Sequence, residues 1–229
     1  MKQITRALAF VFALAFVAGC GGGATYLQLA QQRGGESIAV VSLSVNRYSS
    51  GFRGGFRDVV RSPFMVGNAR RMVEGLEQQL AAHYAVVPAT EFVATEEFQS
   101  LAQPRPDVAL PDFDGWEMPF FGYSYAHLEK ARLAPEMAQA LAAATGTDLI
   151  ALVYSEWGAK TGSFVPTSKA LVVTTLSIYD ASGKLLYTKR TNALGTKTLG
   201  AFGSVVLDEN SIEEWVGAYF QTLLDLVSR

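Results

Sequence analysis

This 229-residue chain has a single cysteine, Cys20, and two histidines, His83 and His127. Once the Cys20 thiol is consumed, as argued below, neither a disulfide nor a cysteine metal site remains. Packing alone must then hold the fold. Charge is scarce, since Asp, Glu, Lys and Arg make up only 17% of the residues. The absence of any basic block argues against nucleic acid and anionic headgroups as partners. The apolar run from Ala7 to Ala18 is about half the length of a bilayer-crossing helix. There is no internal repeat. An apolar share of 49% excludes wholesale disorder.

What is present begins at the amino terminus. Lys2 and Arg6 precede the run Ala7–Ala18, and Val17-Ala18-Gly19-Cys20 closes it with small residues. A positive start, a short greasy segment and a small-residue cut site make a secretory signal. A plain signal would be indifferent to Cys20, and Gly21-Gly22-Gly23 ends the run too early for an uncleaved anchor. The stretch resembles the lipobox of bacterial lipoproteins. That resemblance implies cleavage between Gly19 and Cys20, a diacylglycerol on the cysteine sulfur and acylation of the new amine. Two or more acyl chains hold a protein firmly on a bilayer where one does not. Gly21 stands where enteric lipoproteins kept in the inner membrane usually carry Asp, which implies the outer membrane, facing the periplasm. Without Lys2 and Arg6 the 19 basic residues fall to 17 against 21 acidic ones, a formal net charge of −4.

Three parts are expected: a signal peptide over 1–19, the lipidated Cys20 with a tether over 20–36, and one α/β domain over 37–229. The Gly-rich tether would reach about 20 Å. Ile38 to Val41, with Leu43 and Val45, reads as a strand buried on both faces, hence central. A Gly/Arg/Ser-rich loop follows over 46–66. Asn68 is expected to cap a helix carrying Met72, Val73, Leu76 and Leu80 at three-four spacing. Tyr84–Pro88 reads as a strand, and Thr90 as the start of a short helix to about Leu101. After an irregular, aromatic-rich stretch over 102–134, Pro135 opens an Ala-rich helix that Gly146 stops. Leu149–Tyr154 is a third apolar strand. Lys169–Tyr179, a turn over 180–184 and Leu185–Asn192 form a hairpin, whose alternating second strand suits a sheet edge. Ser211 to Glu214 has the pattern of a capping box. It leads an amphipathic helix with Ile212, Trp215, Val216, Tyr219, Phe220, Leu223, Leu224 and Val227.

The predicted fold is therefore α/β: a mixed sheet of about five strands packed with helices in two or three layers. Right-handed crossovers place the first three strands parallel, with the hairpin antiparallel at one side. The strings SIAVVSL, LAAHYAVVP, AAATGTDLIALVYSEW and IYDASGKLLY together resemble the small α/β domain of envelope assembly lipoproteins. That group includes the curli-secretion lipoprotein, the penicillin-binding-protein activator lipoprotein and the N-terminal domain of the Tol translocation protein. The resemblance covers about two-thirds of the mature chain. It implies a non-catalytic binding or assembly module with an envelope protein, or another copy, as partner.

Catalytic signatures are few. His83 sits at a helix end next to Tyr84, where a cation is mildly favoured. His127 follows the aromatic stretch, but no serine elbow, second ligand-spaced histidine or phosphate loop accompanies it. Asp107, Asp112, Asp114 and Glu117 share that loop without EF-hand spacing and suit solvated turns. No cofactor or metal is expected. An envelope hydrolase pairing His127 with a loop carboxylate is the alternative function. A secretion channel like the curli exporter is another, although 46–66 and 91–128 hold too much Pro, Gly and charge for membrane hairpins. Gly51 to Arg57 is not followed at once by a helix, since Ser62-Pro63 intervenes, which disfavours a phosphate cradle. It reads as a loop at the end of the central strand, where α/β sheets usually bind things.

Residues 111–125 crowd Phe113, Trp116, Met118, Phe120, Phe121, Tyr123 and Tyr125 among prolines and glycines. No helical or strand period organises them. Either the segment folds back over one end of the sheet, or these side chains form a docking surface with Trp116, Phe120 and Phe121 at its centre.

Overall fold

A computed structural model describes residues 25–47, 59–104, 107–121, 130–202 and 204–228. Strand β1 (Ser37–Arg47) pairs in parallel with β2 (Ala85–Val87) on one side and with β5 (Leu149–Thr161) on the other. β5, β6 (Thr167–Asp180) and β7 (Leu185–Ala201) then continue as an antiparallel meander. The five-stranded order is β2-β1-β5-β6-β7, with β1 inside the sheet and β7 at an edge, as the patterning predicts. The meander strands run well past their predicted ends. The extra residues mix Gly, Lys and Thr, so no apolar pattern marks them as strand; antiparallel pairing holds them.

Two helices lie side by side on one face. They are α2 (Pro63–Leu80), against β1, and α6 (Ile212–Val227), against β6 and β7. Met65, Ala69, Met72, Val73, Leu76 and Leu80 recur at three-four spacing and form the buried stripe of α2. Trp215 of α6 stacks on Trp157 at 6.3 Å, and its indole N–H donates to the Gly158 carbonyl at 2.9 Å. The buried Tyr219 hydroxyl donates to the Met72 carbonyl at 3.2 Å, tying the helices together. The other face is covered by α5 (Pro135–Thr145), while the segment around 107–121 lies along the edge of β1, with Ala109 paired to Val45 and Asp112–Phe113 against α2. The short helices α3 (Ala89–Phe92) and α4 (Glu96–Gln99) join β2 to that segment.

Gly146 ends α5 at φ 65°, the left-handed stop predicted for it. Gly183 takes φ 80° in the β6–β7 turn and presses on the backbone of Pro135, so a side chain there meets both strain and a wall.

Four local expectations need correction. The tether over 20–36 does not extend to Ser37. Tyr26–Arg33 is a helix, α1, because Thr25 and Gln28 form a reciprocal capping box and Tyr26, Leu29 and Ala30 have a core to bury against. Tyr26 sits edge-on to Tyr84 and Tyr187, at 6.2 and 6.0 Å. Asn68 does not cap α2. Ser62 does, accepting from the Met65 N–H, and Pro63 takes the first helical position, where its missing N–H costs nothing. Asn68 lies inside the helix and donates to the Phe64 carbonyl at 2.8 Å. The helix expected to run from Thr90 to Leu101 is broken in two, with Thr95 capping the second piece. Finally, Ser211 and Glu214 make no capping box. Asp208 accepts from the Ser211 and Asn210 N–H groups. Glu214 instead reaches a bulge in β7 and accepts from the N–H groups of Thr196 and Lys197, at 2.7 and 2.8 Å. In α6, Leu224 faces solvent.

Candidate functional site

The aromatic segment folds back on the end of the sheet where β1 finishes, and Ala109 pairs with Val45 there. Asp112–Phe113 (β3) and Trp116–Glu117 (β4) pair as a hairpin across Asp114 and Gly115, both at positive φ. Two consecutive positive-φ residues are what a tight Asp-Gly hairpin turn requires. Asp112 accepts from the Gly115 N–H, and Asp114 pairs with Arg70 at 2.9 Å. The Arg70 guanidinium also lies 5.2 Å from the Phe113 ring centre. Phe113, Met118, Phe120 and Phe121 are buried, and Phe121 packs edge-on to Phe98 at 5.3 Å. The chain itself already withdraws the apolar area of these four from water, as the fold-back alternative expects. Among the described residues of this set, Trp116 alone stands out, at 50% exposure. Cys20, Gly19, Tyr123, Tyr125 and His127 lie outside the described residues, as does the Gly51–Arg57 loop. His83 is exposed and edge-on to Tyr26.

On the side that α5 covers, the sheet has a polar face that sequence reading missed. Ser42, Ser44 and Asn46 of β1, Tyr154 and Glu156 of β5, and Thr175 and Ser177 of β6 share one side by strand alternation and register. Ser42, Ser44, Tyr154, Glu156, Thr175 and Ser177 are buried. Asn46 donates to the Tyr154 hydroxyl at 3.0 Å, and Glu156 pairs with Arg190. The signal was the polar residue at every second position from Ser42, inside a run that reads as apolar throughout. At the rim, Lys130, Arg132, Thr175, Thr188, Lys189 and Arg190 line an open groove of about 260 Å³. Of these cations, Lys189 donates to the Asp225 carbonyl. No helix among the described residues is long and apolar enough to cross a membrane.

The largest exposed apolar side chains gather elsewhere, at the tip of the meander. Phe164 is fully exposed and Phe202 is 83% exposed, with Val165 and Val206 beside them in the chain also open to water. The β5–β6 turn is tight: the Gly162 N–H donates to the Thr167 carbonyl at 3.0 Å. The end of β7 closes on it, as the Phe202 N–H donates to the Pro166 carbonyl at 2.7 Å and Ala201 pairs with Thr167. Phe202 has φ 53°, a conformation that costs a bulky L-residue about 1–2 kcal/mol. The fold thus holds a phenyl ring outward in a strained backbone. The sequence marks this tip only as two apolar residues in an uncharged turn, TGSFVPTS over 161–168.

The tip marks one end of the molecule, whereas Trp116 projects from the hairpin that meets the middle of α2 through Arg70. β1 and β5 are parallel and both finish at the tip end, whereas α1, the start of β1 and the β6–β7 turn mark the other end. At about 3.3 Å per residue, the 13 residues of β5 separate the two ends by about 43 Å. Thr25, at the start of α1, therefore lies at the end remote from the tip.

No protein-family model matches this chain, and no curated protein matches it in sequence. Among solved structures it is similar to the lipoprotein GNA1162 from Neisseria meningitidis, at 16% identity over 83% of this chain and 99% of that one, with a TM-score of 0.38. The PelC dodecamer from Paraburkholderia phytofirmans is 14% identical over 92% of this chain and 95% of that chain, with a TM-score of 0.35. The LpoB C-terminal domain from Salmonella enterica is 12% identical over 69% of this chain and 82% of its own, with a TM-score of 0.34. The solved structures this chain resembles thus include a bacterial lipoprotein, at a distance too great to carry a function across.

Proposed function

We propose that this chain is a lipid-anchored bacterial envelope protein, attached through Cys20 to the outer membrane and facing the periplasm, that works by binding rather than catalysis. One observation carries the reading: Phe164, Val165, Phe202 and Val206 are exposed at one end of the sheet, while Thr25, at the start of α1, lies at the other. Single exposed apolar residues are ordinary, but a cluster held out on a tight turn is a contact surface. The buried aromatics of 107–121 form the rigid base from which Trp116 projects.

The test uses the full chain in a bacterial envelope. Wild type is expected in the membrane fraction with an acylated Cys20, and Cys20→Ser is expected to leave it. Phe164→Ser/Phe202→Ser is expected to stay anchored and folded while losing the species, to protein or lipid, that chemical crosslinking traps for wild type. An unmodified Cys20 thiol on the mature protein would refute the anchor. A tip variant that keeps every crosslinked species would refute the docking end.

A further inference from the structure

We infer that the meander tip is a second membrane contact, an aromatic wedge whose two nearby lysines give it a local preference for anionic lipid that the composition of the chain as a whole does not; this rests on the reading that Cys20 is lipidated. Residues 161–168 carry no charge, and their two large apolar side chains, Phe164 and Val165, are exposed together with Phe202 and Val206. Directly behind this cap, Lys160 of β5 and Lys169 of β6 are cross-strand partners. Like charges placed opposite one another repel in a ladder, and no carboxylate among the described residues pairs with either. An uncharged aromatic tip with a pair of lysines behind it matches the order of a bilayer edge, where apolar groups enter the acyl boundary and ammonium groups stop at the phosphates.

Geometry makes the contact reachable. The residues between Cys20 and Thr25 span at most about 17 Å, so the α1 end is held near the bilayer. A body lying along the surface then brings the far tip down to it. The wedge is small, and a free protein would bind through it only weakly. Attachment at Cys20 turns that weak contact into an intramolecular one at high effective concentration. Where the lipid-facing end meets the bilayer, each lysine near an anionic surface strengthens the contact by about fivefold.

The lipidated full-length protein carrying Phe164→Cys gives a direct test, because an acylated Cys20 sulfur cannot react and position 164 becomes the sole free thiol. An environment-sensitive fluorophore is placed there, and the protein is reconstituted into phosphatidylcholine vesicles with or without phosphatidylglycerol. Wild type labelled in parallel reports on Cys20: any dye on it would overturn the anchor reading itself. The expected result is quenching by shallow spin-labelled lipid, protection from aqueous iodide, and a stronger effect with phosphatidylglycerol. Adding Lys160→Glu and Lys169→Glu is expected to remove the phosphatidylglycerol preference. Iodide quenching equal to that of the denatured protein, or label self-quenching that rises with protein density, would overturn the lipid contact. In the first of these cases a protein crosslink at position 164 would leave the docking end intact, so the two failures are distinguishable.

Discussion

Gly183→Ala and Gly146→Ala form a controlled pair. Both glycines sit at positive φ, 80° and 65°. An alanine in that region costs about 1–2 kcal/mol, offset by about 0.4–1 kcal/mol because alanine also restricts the unfolded chain. Around Gly146 a Cβ meets nothing within 4 Å, so backbone strain is the whole effect and a net loss of about 1 kcal/mol is expected. At Gly183 the Cβ would lie 2.3 Å from the Pro135 carbonyl oxygen, in the first turn of α5. Backbone cannot swing aside as a side chain can, and overpacking of this kind adds about 1–3 kcal/mol. The total for Gly183→Ala is then about 2–4 kcal/mol. Urea unfolding followed by the fluorescence of the buried Trp157 and Trp215 reads both variants, with equal m-values as the check on two-state behaviour. Equal losses at the two positions would refute the argument that the β6–β7 turn is seated against α5.

Glu214→Ala is expected to cost about 1–3 kcal/mol, since the β7 bulge loses the acceptor for two N–H groups, and the Thr196 and Lys197 amides should lose hydrogen-exchange protection. Thr222→Val should cost about 1–2 kcal/mol by leaving the Thr174 hydroxyl, 2.7 Å away and buried, without its partner. The double change with Thr174→Val should restore part of the loss. Hydrogen bonds hold several carboxylates below their usual range, among them Asp148 through Ser37, Asp208 through the Ser211 backbone, and Glu214 through the Lys197 backbone. Their contribution is fully present above the unfolded-state values of about 4. It is lost as pH falls through the depressed folded values, so urea midpoints should drop steadily below about pH 4. Phe164→Ser and Phe202→Ser should change stability by no more than about 0.5 kcal/mol, as exposed positions do. A larger loss in the same unfolding assay would mean that the tip is part of the core.

The sheet was legible because its inner strands are written in one period. Ile38 to Val45 and Leu149 to Tyr154 are too apolar for any place but the middle, and the alternation after Leu185 marks an edge. Gly146 and the turn over 180–184 were equally plain, since each rests on local backbone chemistry. Three things were hidden because they depend on partners far away in sequence. Thr25 and Gln28 look like part of a linker until Tyr84 and Tyr187 supply a place for Tyr26. Glu214 has the right spacing for a capping box, but two N–H groups on β7 compete for its carboxylate. The aromatic count over 111–125 marked a segment without sorting its side chains, since composition cannot say which rings the chain will cover: Phe113, Met118, Phe120 and Phe121 are buried and Trp116 is not. Phe164 and Phe202 escaped notice because 38 residues separate them and only strand pairing brings them together.

The central claim is that the working surface lies at the meander tip, opposite the anchor. A photoreactive residue in place of Phe164 in the lipidated full chain, compared with one in place of Gln139 beside the β6–β7 turn, tests it most directly. Illumination of intact envelopes should yield a defined adduct, to lipid or protein, from position 164 and none from position 139. Adducts from position 139 alone would contradict the account.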